Sequence, residues 1–254
     1  MVAPSRGVRS ILLLLLSLLV AATCVRLGFW QLDRLSQRRA FNEQVQLGMD
    51  APAAPVAQLV DGAAHPDELT FRRVEAAGTY DANHEVILYG RTLDGRPGNH
   101  VLTPLVLEDG RAILVDRGWV PSEVDAAPVR GDAEAPRQVV TVRGVLLRSD
   151  GDASAGPGEG LATTVREVDV ALLDRQIPAD LLPGVYLLLR DQEPTAPLPV
   201  PAALPELTEG PHLGYALQWF GFALVAVIGY GLLARRERRG ATESTPAASH
   251  EEEE

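Results

Sequence analysis

The sequence predicts a membrane protein in which two transmembrane α-helices flank a mainly antiparallel β domain of α+β class, with barrel-like closure as one option. Three observations predict it. Apolar runs stand near both ends of the 254-residue chain. Arginines flank each run, and the cluster after the second sets an orientation. Between the runs lie stretches of β-forming residues separated by Gly, Pro and Asp turns. The expected layout is a cytoplasmic N-terminus over 1–9, a first span over 10–32 and an extracytoplasmic β-rich domain over 33–211. A second span follows over 212–234, then a cytoplasmic tail over 235–254, basic first and then acidic and disordered.

The first run, Ile11 to Val25, is about fifteen residues, short of the ~20 that usually cross a bilayer. Two other readings are therefore open: a signal-peptide core behind Arg6 and Arg9, or a lipoprotein site at Cys24. Both are opposed by the sequence. Ala22-Thr23-Cys24 makes a poor cleavage site, and the helical pattern resumes through Leu27-Gly28-Phe29-Trp30-Gln31-Leu32. An uncleaved helix from Ser10 to Leu32 reaches roughly 33 Å at about 1.5 Å per residue, enough to span. Arg26 is expected to snorkel toward the outer interface, and Trp30 to serve as an aromatic anchor there.

The second run, Leu213 to Ala234, carries no charge and is long enough to cross. Arg235, Arg236, Arg238 and Arg239 follow at once and place the C-terminus in the cytoplasm. Arg6 and Arg9 place the N-terminus there too, while Arg34, Arg38 and Arg39 argue the other way. The tail with His250 and Glu251 to Glu254 reads as solvated and disordered.

In the central domain, Ser36 to Gln46 can continue as a surface helix, and Ala51 to Pro66 reads as a connector. Strands are expected at Phe71–Ala76, Glu85–Tyr89, His100–Leu107, Arg111–Val120, Val139–Leu147 and Val185–Arg190. A turn is expected at Gly95 to Gly98, and Asp109-Gly110 predicts a hairpin. Asp150 to Gly160 reads as a Gly-rich loop, Asp169 to Gln176 as a short helix capped by Asp169, and Pro194 to Pro211 as an extended lead into the second span.

Composition narrows the function. The net charge of -11 argues against a nucleic-acid partner. The cationic side chains are all arginine, which carries no functional message. A lone cysteine rules out an internal disulfide, and two methionines give no basis for a copper(I) thiol or thioether site. His65, His84, His100, His212 and His250 show no zinc-ligand spacing. No GxSxG or phosphate loop stands near His84-Glu85 or His100, so surface histidines are expected there.

Five blocks in order carry a resemblance. They are Leu27-Gly28-Phe29-Trp30-Gln31-Leu32-Asp33-Arg34; Gly78-Thr79-Tyr80-Asp81; Gly90-Arg91 through Pro97-Gly98 to Leu102-Thr103-Pro104-Leu105; Ile113-Leu114-Val115-Asp116-Arg117-Gly118-Trp119-Val120-Pro121; and His212 to Phe220. With two flanking spans, the chain resembles the surfeit-locus family of cytochrome c oxidase biogenesis proteins. Asp116 stands where that family usually has Asn. The resemblance implies an assembly factor and not an enzyme, one that assists delivery or insertion of haem a into the oxidase's catalytic subunit. It implies that subunit, and haem a synthase, as partners.

His212 is the leading candidate, as the one histidine in or beside either span. On a helix it shares a face with Tyr215, Ala216 and Trp219. Its imidazole suits axial ligation of haem iron, and the two rings suit packing on a porphyrin. An interfacial or capping role is equally open. Trp30 and Gln31, at the matching end of the other span, read either as an aromatic belt plus a hydrogen bond from Gln31 to Gln218, or as part of a shared groove. Gly214, Gly221 and Gly229 are expected to let the helices approach closely. Arg91 and Arg117 suit haem propionates, although a structural pairing of Arg117 with Asp116 or another acid is favoured, and Trp119 reads as packing. Two other functions remain in view. An extracytoplasmic enzyme on a membrane anchor would need a convergent nucleophile and base. A structural or sensor domain would not need polar and aromatic groups at both outer helix ends.

Overall fold

The computed structural model describes residues 6–149, 162–204 and 207–243. Its elements run in chain order as α1 (Arg6–Asp50), β1 (Ala54–Pro55), α2 (Val56–Gly62), β2 (Arg73–Tyr80), β3 (Val86–Leu93), β4 (Arg96–Leu107), β5 (Ala112–Pro121), β6 (Val140–Arg148), β7 (Thr164–Val165), α3 (Val170–Asp174), β8 (Val185–Glu193) and α4 (His212–Glu243). They fall into two compact units. One comprises 1–42 and 207–254, the other 43–206.

The first unit holds α4 and most of α1. Both helices are long and apolar enough to cross a membrane. Neither stops where the apolar run stops. α1 continues to Asp50 and absorbs the surface helix expected at Ser36–Gln46, and α4 continues through its arginines to Glu243. No proline interrupts either helix, so the backbone ladder continues past the point where the lipid-facing sequence ends. The remainder of the acidic tail lies outside the described residues.

The second unit is a mixed sheet of eight strands, mainly antiparallel. The pairings β2–β6, β6–β8, β8–β5, β5–β4 and β4–β2 return to their starting strand, so these five strands form a hydrogen-bonded ring. Gly78 stands where the ring meets itself, paired with Val140 on one side and Leu107 on the other. A Cβ there would lie 2.2 Å from the Val106 carbonyl oxygen, so only glycine lets β2 serve both neighbours. β5 is buried from Ala112 to Val120, as a strand enclosed on both faces must be. Val74, Leu105, Ile113, Val142, Leu146 and Leu187 form the main core, and a second cluster gathers Leu88, Leu102, Leu114 and Leu173.

Each expected strand is present within a few residues of its expected limits. The Asp109-Gly110 hairpin joins β4 to β5, with Gly110 N–H donating to the Leu107 carbonyl at 3.1 Å. Asp169 caps α3 by accepting from Leu172 N–H at 2.9 Å. Two expectations are corrected. The turn expected at Gly95–Gly98 is centred two residues earlier. Asp94 and Gly95 both take positive φ, and Arg96 already pairs with Leu93, which is the twist-compatible two-residue hairpin turn. The Ala51–Pro66 connector contains β1 and α2, the latter docking Val56, Leu59 and Val60 against the main core. The Asp150–Gly160 loop lies outside the described residues.

Candidate functional site

In the first unit, α1 and α4 meet along a seam of small residues. Ala21, Cys24 and Ala223 are buried in it with Trp219 and Ala226 against them, and Ser17 Oγ donates to the Ala226 carbonyl at 2.8 Å. A Cβ on Gly28 would lie 2.6 Å from the Phe220 ring, so the missing side chain is what admits Phe220. Phe220 also meets Phe29 edge to face at 5.4 Å. In α1 the seam residues recur at three- and four-residue steps, the spacing of one helix face. The sequence misassigned the close approach to Gly214, Gly221 and Gly229. Those glycines face open space, because helical rotation carries them off the seam defined by Ala216 and Ala223.

At one end of this seam, His212 Nδ1 lies 2.9 Å from Gln31 Oε1. An amide oxygen only accepts, so Nδ1 is the donor of this bond, and in the neutral ring Nε2 carries the lone pair. Both side chains are half-buried. The expected Gln31–Gln218 bond does not form: Gln218 is exposed, and Gln31 reaches His212 instead. Just beyond, Arg39 grips Glu209 bidentately at 2.8 and 2.9 Å, and Arg38 Nε and Asn42 Nδ2 both donate to the Thr208 carbonyl. These contacts tether the approach to α4 onto α1.

The aromatic candidates divide. Trp219 is half-buried and meets Phe222 edge to face at 5.8 Å. Tyr215 is 49% exposed one turn from His212. Trp30 is also 49% exposed, with the Arg34 guanidinium 5.7 Å from its ring centre. Trp30 lines an open depression of about 640 Å³ with Arg26, Leu27, Phe29 and Asp33, all of α1. Trp30 therefore neighbours Gln31 in sequence without joining His212.

Arg117 belongs to the second unit and is fully buried. Its Nη1 meets Glu85 Oε1 at 3.0 Å, its Nη2 donates to the Glu134 carbonyl at 3.2 Å, and its guanidinium lies 5.2 Å from the Tyr80 ring centre. Glu85 also accepts from Thr103 Oγ1 and from Val129 N–H. Burial pushes the Glu85 carboxyl up, opposed by the Val129 N–H, Arg117 and Thr103; burial likewise pushes the Tyr80 hydroxyl up. The sequence identified an acid as Arg117's partner but not which acid. It is Glu85, because Asp116 is engaged elsewhere. Asp116 Oδ2 lies 2.8 Å from His100 Nδ1, and its Oδ1 accepts from Gly118 N–H. His100 is thus buried and not at the surface as expected; the register shift between β4 and β5 sets it against Asp116. His84 is half-buried and held by Asp81 Oδ2 at 2.6 Å.

Among the described residues no group of three or more His, Cys, Asp or Glu could hold a bare metal ion. The donor set at His212 is a single imidazole nitrogen with a fixed tautomer. The SURF1 family profile matches residues 18–224, most of the chain. The chain belongs to the SURF1 family. Members of this family are known generally as cytochrome oxidase assembly factors. An uncharacterised SURF1-like protein of Mycobacterium bovis is 32% identical over 215 residues, covering 83% of this chain and 77% of its own. A counterpart in Mycobacterium tuberculosis matches to the same extent. A SURF1-like protein of Rickettsia felis is 25% identical over 227 residues, covering 87% of this chain and 96% of its own. The SURF1 match takes in both His212 and Gln31, and both strands of the Glu85–Arg117 region.

Proposed function

We propose that this chain is a membrane-anchored assembly factor for cytochrome c oxidase that holds haem a transiently and assists its delivery to the catalytic subunit. Haem a synthase is the natural donor and the catalytic subunit the acceptor. The observation that carries this reading is the His212–Gln31 pair. A bare metal ion needs several protein ligands, whereas a haem brings four ring nitrogens and asks the protein for an axial one. His212 offers one: a half-buried imidazole whose Nδ1 is engaged by Gln31, which leaves Nε2 as the nitrogen that would coordinate. Tyr215 and Trp219, one and two turns along α4, supply ring surface for the macrocycle. In this reading Arg117 does not hold propionates, since its guanidinium is committed to Glu85 and Glu134.

We further propose that both helices cross the membrane with the termini in the cytoplasm and the sheet unit outside. Arg235, Arg236, Arg238 and Arg239 support it. The opposing charges are partly answered within the chain: Arg39 by Glu209, Arg38 by the Thr208 carbonyl, and Arg34 by Gln37. Cys24, packed against α4, belongs to the membrane helix in this reading and not to a lipoprotein signal. The exposed apolar side chains of both helices face lipid.

Deleting the gene tests the reading. Haem a content and active oxidase should fall while the oxidase polypeptides are still synthesised. Unchanged haem a and oxidase activity, in a strain with no second copy, would refute it.

A further inference from the structure

Among the described residues three imidazoles are held by Nδ1, with different chemistry. His84 is held by the carboxylate of Asp81 at 2.6 Å. His100 is held by the carboxylate of Asp116 at 2.8 Å, inside the sheet unit. His212 is held by the amide of Gln31 at 2.9 Å, at the end of the helix seam. A carboxylate on Nδ1 draws the imidazole proton and strengthens Nε2 as a ligand; an amide oxygen fixes the tautomer with little such pull. Gln31 also stands on a different helix from His212, on the seam that Gly28 and Cys24 define. The bond therefore ties the ring's orientation to the packing of α1 against α4.

We infer that Gln31 is the positioning residue of His212. Its amide oxygen holds the proton on Nδ1, leaves Nε2 as the coordinating nitrogen, and keeps that nitrogen a donor of moderate strength, suited to a haem that must be released. This rests on the reading of His212 as an axial ligand. It assigns no contact between Gln31 and the haem itself. A neutral acceptor at this place separates a carrier from a resident cofactor site, where a carboxylate would favour retention.

The test uses the full-length protein in detergent, with iron protoporphyrin IX as the probe. Wild type, Gln31→Glu, Gln31→Leu and His212→Ala are titrated in the Soret band, and the reduction potential of the bound haem is measured. Gln31→Glu places the Asp116 type of partner on His212 and is nearly isosteric, so it keeps the helix pair intact. It should bind about tenfold or more tightly, release haem more slowly, and lower the potential of the bound iron. Gln31→Leu should bind about 10–100-fold more weakly, with a Soret band that is broader or shifted as the ring loses its fixed orientation. Gln31→Glu matching wild type in affinity, potential and spectrum, while His212→Ala abolishes binding, would overturn the role of Gln31 and leave His212 as the ligand. Wild-type binding by His212→Ala would overturn the ligand reading itself, and the inference with it.

Discussion

Glu85 and Arg117 form an ion pair at 3.0 Å in which neither side chain is exposed to solvent. Glu85 precedes β3 and Arg117 sits in the middle of β5, so the pair joins two elements of the sheet unit. The carboxylate's second oxygen takes the Val129 N–H, and the guanidinium reaches the Glu134 carbonyl. The pair thereby also holds the segment between β5 and β6.

Arg117→Met should destabilise the protein by about 3–5 kcal/mol, because it leaves a carboxylate buried without its counter-charge. The effect should depend on pH. Burial already raises the Glu85 carboxyl above its ordinary 4.5, and losing Arg117 raises it further. A carboxyl raised in the folded state contributes stability that is fully present below its unfolded value and is lost as pH rises through its folded value. The deficit of Arg117→Met relative to wild type should therefore be largest at neutral pH and above, and should shrink on acidification toward the carboxylate range. Thermal unfolding of both proteins across that range checks this. A deficit that grows on acidification would contradict it.

Gly78→Ala should cost about 1–3 kcal/mol through overpacking. The new methyl meets a backbone carbonyl, which cannot swing aside as a flexible side chain would. Gly62→Ala is the control, since a Cβ there meets nothing within 4 Å. Denaturant unfolding should separate the two variants clearly; equal midpoints would mean that β2 and β4 are not held together at Gly78.

A reporter fused after Arg239 should report from the cytoplasm, and one inserted between Asp150 and Gly160 from the outside. A loop reporter found inside the cell would invert the proposed orientation.

Much of the sheet was legible because its signals are local. Alternation in Val139–Leu147, the Asp109-Gly110 turn and the Asp169 cap each act over a few residues, and each matches the structure. What was not legible depends on partners distant in sequence. Arg117 demanded an acid, but only the ring of strands brings Glu85 to it. His100 looked like a surface residue, but the register shift between β4 and β5 sets it against Asp116. Gln31 was singled out with the wrong partner. Gln218 was the partner expected, and the rotation of α4 on its seam brings His212 to Gln31 instead. Three glycines in α4 advertised a close-packed face, whereas Gly28 of α1 is where the helices press together. The helix ends were missed because the apolar run marks where a helix is suited to lipid and not where its backbone ladder stops.

The central claim is that His212 ligates haem at the end of the helix seam. Its most direct measurement is a haem titration of purified full-length His212→Ala against wild type, followed in the Soret band, with Gln218→Ala as the control. His212→Ala removes the imidazole without shortening either apolar helix, so membrane insertion should persist. Haem affinity should fall markedly, and Gln218→Ala should bind like wild type. Binding by His212→Ala equal to wild type would contradict the claim and leave His212 as a residue that only ties α4 to α1 through Gln31.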